Sequence, residues 1–392
     1  MRAWFRKASY YVVITVVSIS ACAPRSGEPP AATAVTGSSR LSELLRADAD
    51  AGYRQALAPR AFRFPADHGP HPGYRNEWWY FTGNLDADGG ERFGFELTIF
   101  RFSVAPANAA PTGSAWQTNQ VYIGHFAVTD ATRKRFLVAQ RYSRGSLGLA
   151  GAEATPFRVW VEDWEVRASD RGGLPGVPAT WHLRAIDGDI SLSLALVPVK
   201  PVVLNGDRGL SRKSAEPGNA SYYYSIPRLQ ARGRLEIGNK AFAVSGLSWL
   251  DREWGSSALS RDQQGWDWFS LQLSDGNDLM FYKLRRTDGS TDSASAGTWI
   301  DADGNAEALG AGDVTLSVTA YWHSARGGRY PSAWQIAVPG KNVSLSIAPV
   351  MPEQELLTNV RYWEGAVDVN GKSGGRTVDG RGYVELTGYA ER

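Results

Sequence analysis

The chain has 392 residues, with 42 basic and 40 acidic side chains, one Cys, and an aromatic load of 15 Trp, 16 Tyr and 14 Phe. A single cysteine excludes an intramolecular disulfide, so the core must come from packing. The near-balanced charge, without a dense basic run, excludes an electrostatic nucleic-acid surface.

At the N-terminus, Arg2, Arg6 and Lys7 precede the apolar stretch Tyr10 to Val17. That stretch is far short of the roughly twenty residues a membrane-spanning helix needs, so residues 1–21 read as a signal peptide. Its removal takes three basic residues from the 42 and no acid, leaving 39 against 40. Ile19-Ser20-Ala21-Cys22 resembles the bacterial lipobox. That resemblance implies acylation of Cys22, export, and anchoring in the cell envelope, with Ala23 pointing to the periplasmic face of an outer membrane in a Gram-negative host. Residues 22–58 follow as a tether: 23–40 are rich in Ala, Ser, Gly and Pro, which suits a disordered spacer. Leu41, Leu44 and Leu45 fall at helical spacing, which predicts one short helix within Leu41 to Leu57, although Asp48 breaks the stripe.

Beyond Pro59 the hydrophobic period changes to two. In Arg92 to Phe102, Phe93, Phe95, Leu97 and Ile99 alternate with Gly94, Glu96, Thr98 and Phe100. Thr180 to Asp187 and Ile190 to Val197 flank Gly188-Asp189, which predicts a hairpin. Leu271 to Leu273 and Leu279 to Leu284 flank a turn at Asp275-Gly276, and Val314 to Trp322, Ser332 to Val338 and Val343 to Ile347 continue the pattern. The fold class is therefore all-β. Trp78-Trp79-Tyr80-Phe81-Thr82-Gly83-Asn84-Leu85 is echoed by Trp266-Asp267-Trp268-Phe269-Ser270-Leu271-Gln272-Leu273. The echo predicts two similar sheets or barrels in tandem, an N-terminal domain over 59–233 and a C-terminal one over 234–392, dividing near Gly233.

Longer motifs then carry a resemblance. Phe64-Pro65-Ala66-Asp67-His68-Gly69-Pro70-His71-Pro72 and Glu77 to Leu85 look like the opening of the AttH and carotenoid 1,2-hydratase-like (CrtC-type) family. Trp249-Leu250-Asp251-Arg252-Glu253-Trp254-Gly255, Gly265 to Phe269, Tyr362-Trp363-Glu364-Gly365 and Gly382 to Tyr389 continue it. The resemblance implies two tandem lipocalin-like β-barrel domains, an architecture that can enclose an apolar ligand. It implies activities ranging from hydration of carotenoid double bonds to envelope roles beside ABC-transporter permeases, so family alone does not fix function.

Hydrating an alkene needs an acid able to protonate carbon, aromatic faces for the cation and a held water. Asp251 and Glu253, amid Trp249, Trp254, Trp266 and Trp268, are the candidate catalytic acids. Candidate ligand-binding residues are His71, Glu77, Trp78, Tyr80, Trp254, Trp266, Trp268 and Trp363. The plainer reading makes Arg252, Glu253 and Glu77 buried ion-pair partners at a domain seam, with the tryptophans filling core. His68 and His71 lie in a Gly/Pro loop without a second cluster, and His125, His182 and His323 are isolated, so neither a metal nor a cofactor is expected. The expected function is a lipid-anchored envelope protein holding an apolar, lipid or isoprenoid-like molecule, with an ABC-transporter permease as partner. A hydratase or isomerase of olefinic lipids is the alternative, and an envelope-complex assembly factor a third.

Overall fold

The structure is a computed structural model that describes residues 52–106, 114, 116–169, 173–256 and 259–390. The signal segment, Cys22 and most of the tether lie outside the described residues, as does the helix expected from Leu41 onward up to residue 51; residues 52–57 are not helical. The described residues hold no helix long and apolar enough to cross a membrane.

Alternating apolar and polar residues build β-strands throughout, joined by tight turns. The first sheet comprises β1 (Asn76–Ala87), β2 (Arg92–Ser103), β3 (Gln120–Asp130), β4 (Arg135–Arg144), β5 (Ala150–Ala154), β6 (Phe157–Val161), β7 (Trp164–Ala168), β8 (Trp181–Asp187), β9 (Ile190–Pro198), β10 (Val203–Leu204), β11 (Leu210–Arg212), β12 (Ala220–Ile237) and β13 (Lys240–Gly255). The second comprises β14 (Gln263–Leu273), β15 (Asp278–Arg286), β16 (Ala296–Ile300), β17 (Ala306–Gly310), β18 (Thr315–His323), β19 (Arg329–Val338), β20 (Val343–Pro349), β21 (Glu355–Leu357), β22 (Arg361–Ser373) and β23 (Arg376–Leu386). All pairings are antiparallel: the first sheet runs β4-β3-β2-β1-β13-β12-β9-β8-β7-β6-β5, the second β17-β16-β15-β14-β23-β22-β20-β19-β18. The hairpin expected at Gly188-Asp189 joins β8 to β9, with Gly188 in the left-handed region at φ 56°.

The expected tandem differs from the structure in two ways. The first sheet curls into a nearly closed barrel, whereas the second stops at a half-barrel. The passage between sheets falls after Gly255, not near Gly233, which lies inside β12 opposite Leu194 and Val244. A Cβ on Gly233 would sit 2.0 Å from the Ser193 carbonyl oxygen. The glycine permits close strand approach in a twisted hairpin rather than marking a linker.

Period-two alternation gives each central strand two faces. One face fills its own barrel: Trp79, Phe81, Phe95, Leu97, Tyr222, Tyr224, Leu250 and Trp254 pack in the first, Phe269, Leu271, Trp334, Trp363 and Val384 in the second. The other face meets the opposite sheet through Tyr80, Tyr223, Trp249, Trp268, Tyr282 and Tyr383. The echoed motif shows why. Its last polar position, Asn84 or Gln272, donates a side-chain amide across the seam, Asn84 to the Gly382 carbonyl (2.9 Å) and Gln272 to those of Pro227 (2.8 Å) and Ser248 (3.0 Å).

Candidate functional site

The barrel interiors are packed with large side chains, and the most developed apolar cavity lies instead between the two sheets. It is narrow, with a volume of about 70 Å³, and is lined by Trp78, Tyr80 and Phe100 from β1 and β2, Lys213 beyond β11, Tyr223 from β12, and Asp251 and Glu253 from β13. The second sheet contributes Trp266, Trp268, Tyr282, Leu284 and Glu385. Of the candidates named from sequence, Asp251, Glu253, Trp78, Tyr80, Trp266 and Trp268 therefore share one cavity.

Tyr80 and Trp268, equivalent positions of the echo, meet edge to face with centroids 5.2 Å apart. Their cross-strand partners are both carboxylates: Tyr80 pairs with Asp251 on β13, and Trp268 pairs with Glu385 on β23. The echo thus places an acid on each wall.

Asp251 is buried and oriented by three donors. Ser225 Oγ lies 2.5 Å and Trp249 Nε1 2.6 Å from Oδ1, and the Tyr223 hydroxyl donates to Oδ2. Burial raises its pKa and outweighs those hydrogen bonds, so the group sits at about 7 instead of 3.8. Tyr223 in turn accepts from Trp268 Nε1 at 3.1 Å, which ties Asp251 to the opposite wall. Glu253 accepts from the Ser221 hydroxyl and pairs with Lys213 Nζ at 2.9 Å, while Lys213 lies 4.4 Å from the Tyr282 ring centroid. Glu253 is therefore a neutralised ion-pair partner at the cavity wall.

The structure separates His71, Glu77, Trp254 and Trp363 from this cavity. Glu77 and Trp254 face the barrel side of β1 and β13, one residue out of phase with Trp78 and Glu253. Glu77 is fully buried, paired with Arg101 and Arg252, and accepts from the His71 backbone N–H at 3.0 Å. Burial alone would raise its pKa, but the two guanidinium groups and His71 hold it well below 4.5. The expected ion pair of Glu77 with Arg252 is thus present. His71, placed by the sequence reading near a ligand, stacks flat on Trp254 at 3.8 Å and lies between Asp67 and Glu77 at the end of the first barrel. Trp363 packs in the half-barrel core and donates Nε1 to the Pro352 carbonyl at 2.7 Å. In each case strand alternation points the side chain away from the cleft. Among the described residues no group of three His, Cys, Asp or Glu side chains is placed to hold a metal ion.

Sequence reasoning missed Glu385, Glu364 and Glu96. Burial, together with their like-charged neighbours in the case of Glu385 and Glu364, raises their pKa: Glu96 and Glu385 to about 8, Glu364 well above 4.5. In residue order Glu96 alternates with Phe95 and Leu97, a position that by itself carries no sign of burial. The signal was Phe100 on the same strand face, an apolar residue where an exposed face would carry none.

The comparisons with known proteins agree with this architecture. The AttH-like family model matches residues 55–389. The structure of a candidate AttH protein from Nitrosomonas europaea is 33% identical with a TM-score of 0.74, covering 86% of this chain and 100% of its own. Kievitone hydratase from Nectria haematococca shares the fold, with a TM-score of 0.64 at 14% identity over 86% of this chain and 96% of its own. No curated protein sequence matches the chain. With the motifs from Phe64 to Tyr389 all falling inside the matched span, the chain belongs to the AttH-like family.

Proposed function

We propose that the protein binds an apolar, unsaturated lipid or isoprenoid-like molecule in the cleft between its two sheets. The observation that carries this reading is the cleft's composition: Trp78, Tyr80, Phe100, Tyr223, Trp266, Trp268, Tyr282 and Leu284 surround a few convergent polar groups, the usual make-up of a small-molecule site. The lipobox at Cys22 supports an exported, lipid-anchored protein working with an ABC-transporter permease. Loss of palmitate labelling in Cys22→Ser tests the anchor, and persistence of the label would remove it.

Three tryptophans in the wall make binding directly readable. A conjugated polyene such as cis-parinaric acid is expected to quench Trp fluorescence saturably. Leu284→Trp, which fills the cleft, is expected to weaken that binding at least about tenfold. Unsaturable quenching, or equal affinity in the variant, would exclude the cleft as the site.

A second reading, hydration of a carbon–carbon double bond, is favoured by Asp251, a buried carboxyl at about 7 among aromatic faces. The shared fold of kievitone hydratase is consistent with it. Conversion of squalene to an alcohol, lost in Asp251→Asn, is the expected result; squalene recovered intact would count against catalysis. Stable crosslinks to another envelope protein without ligand uptake would favour assembly instead.

A further inference from the structure

Behind the cleft lies a second set of polar groups that ligand binding alone does not explain. Glu96 on β2, Glu364 on β22 and Glu385 on β23 converge between the sheets, the first two with no exposed surface. Glu364 and Glu385 are direct cross-strand neighbours, and Glu96 stands opposite Thr82 on the seam face of β1. No well-formed hydrogen bond reaches either Glu96 oxygen, Thr98 offering only a loose contact, and Glu364 Oε1 is likewise unpartnered. Glu364 accepts one hydrogen bond, from the Tyr80 hydroxyl at 2.8 Å, and Glu385 one, from Trp266 Nε1 at 3.1 Å. No cation reaches these three: the salt bridges of the described residues leave them out, whereas Asp267 has one cationic partner and Glu77 and Asp278 have two each.

Three unscreened carboxylates in one dry space repel strongly, so the arrangement is stable only with protons retained. Glu385 is the member that reaches the cavity. Asp251, on the facing wall, has the opposite surroundings: three donors that favour its anion. Burial raises both carboxyls, but three donors on Asp251 against a single one on Glu385 make Asp251 the easier anion to form, and that difference assigns their roles.

We propose that Glu385 is the proton donor of the cleft, that Glu96 is the positioning residue that keeps it protonated, and that Asp251 is the base on the facing wall. The proposal rests on the hydration reading. Glu385 transfers its proton to one alkene carbon, the π pair becoming the new C–H bond. A water oxygen donates a lone pair to the cationic carbon, forming the C–O bond, and Asp251 takes the proton that oxygen releases. Solvent at the cavity mouth returns that proton from Asp251 to Glu385. The sum is alkene plus water giving alcohol, with no oxidant or reductant.

The test uses the full chain, squalene in detergent micelles as probe, and the infrared absorption of protonated carboxyl groups at pH 7. The wild type is expected to show that absorption, reduced in Glu385→Gln. It is also expected to give a bell-shaped pH profile peaking between the values of Asp251, about 7, and Glu385, about 8. Glu385→Gln should lower kcat at least about 100-fold with KM within about threefold. Glu96→Gln removes the like-charged neighbour that raises Glu385, so its alkaline limb should move to lower pH by about one unit, a change that a purely structural role would not produce. Activity in Glu385→Gln within tenfold of wild type, or an unmoved alkaline limb in Glu96→Gln, would overturn the proposal. Should Glu385→Gln not fold, the Glu96→Gln profile decides. Squalene left intact by the wild type would sink the hydration reading; the infrared band alone then judges the acid wall, which fails if Glu385→Gln leaves the band unchanged.

Discussion

Glu77→Gln is expected to lower the free energy of unfolding by about 3–5 kcal/mol, the largest effect of any single substitution considered. Glu77 neutralises two guanidinium groups that are themselves almost fully buried, Arg101 and Arg252. With the carboxylate gone, both cations remain in the barrel end without a counter-charge. Their other contacts include no carboxylate: Arg101 donates to Tyr74 O (2.8 Å) and Gln120 Oε1 (2.6 Å), and Arg252 donates to Gly69 O (2.6 Å), with the His71 ring nitrogen at 3.1 Å and the Trp79 ring centroid at 4.0 Å. These hold the segment 68–74 across the barrel end, where Trp79 Nε1 also donates to the His68 carbonyl at 2.8 Å. The loss should therefore appear as global unfolding at lower urea. A midpoint shift worth less than about 1 kcal/mol would show that the pair is not structural. The pH dependence has a definite sign. Glu77 is held well below 4.5, so its contribution is present above the unfolded value and is lost as pH falls through the folded one.

Raising the pH is expected to weaken the fold at a different place, and Glu96→Gln should relieve it. Glu96 rises from 4.5 to about 8 through burial. Glu364, Glu385, Asp251 and Glu253 face the same seam, with Tyr80, Tyr362 and Tyr383 beside them. A carboxyl with a raised folded pKa keeps its proton in the fold and releases it on unfolding. Its contribution is complete below about 4.5 and disappears as pH climbs towards 8. Each such group gives a slope of about 1.4 kcal/mol per pH unit in that window. Because the neighbouring carboxyls share the effect, Glu96→Gln is expected to gain about 2–4 kcal/mol relative to wild type at pH 8 compared with pH 5. Urea denaturation at both pH values checks this; parallel stability curves for variant and wild type would refute it. The same substitution separates stability from ligand binding, since Glu96 does not line the cavity.

The two effects sit on opposite faces of the same strands. On β13, Arg252 and Trp254 serve the barrel end while Asp251 and Glu253 serve the cleft. A single-residue shift of register would exchange these sets and bury Asp251 among aliphatic side chains, so the long pairing of β12 with β13 fixes the chemistry as well as the shape.

The strands themselves were legible from residue order alone. The alternation of Phe93, Phe95, Leu97 and Ile99, the turn at Gly188-Asp189 and the echo of Trp78–Leu85 in Trp266–Leu273 are local patterns, and local sterics and burial period produce them. The ion pair of Glu77 with Arg252 and the acidic, aromatic character of Asp251 with Trp268 were readable for the same reason: residue type implies a requirement for a partner. Which face met water was not local. Glu96 alternates as an exposed residue should, and only the arrival of the second sheet makes it a buried acid. His71 and Trp363 sit in aromatic motifs but point into cores, because strand phase decides orientation and neither motif states its phase relative to a partner sheet. Tyr80 and Glu364 are 284 positions apart in the chain, and Asp251 and Glu385 belong to different sheets. The residues by themselves determine two faces for each strand; the packing of one curved sheet against another decides which of those faces becomes a site, because desolvation and charge repulsion exist only once both walls are in place.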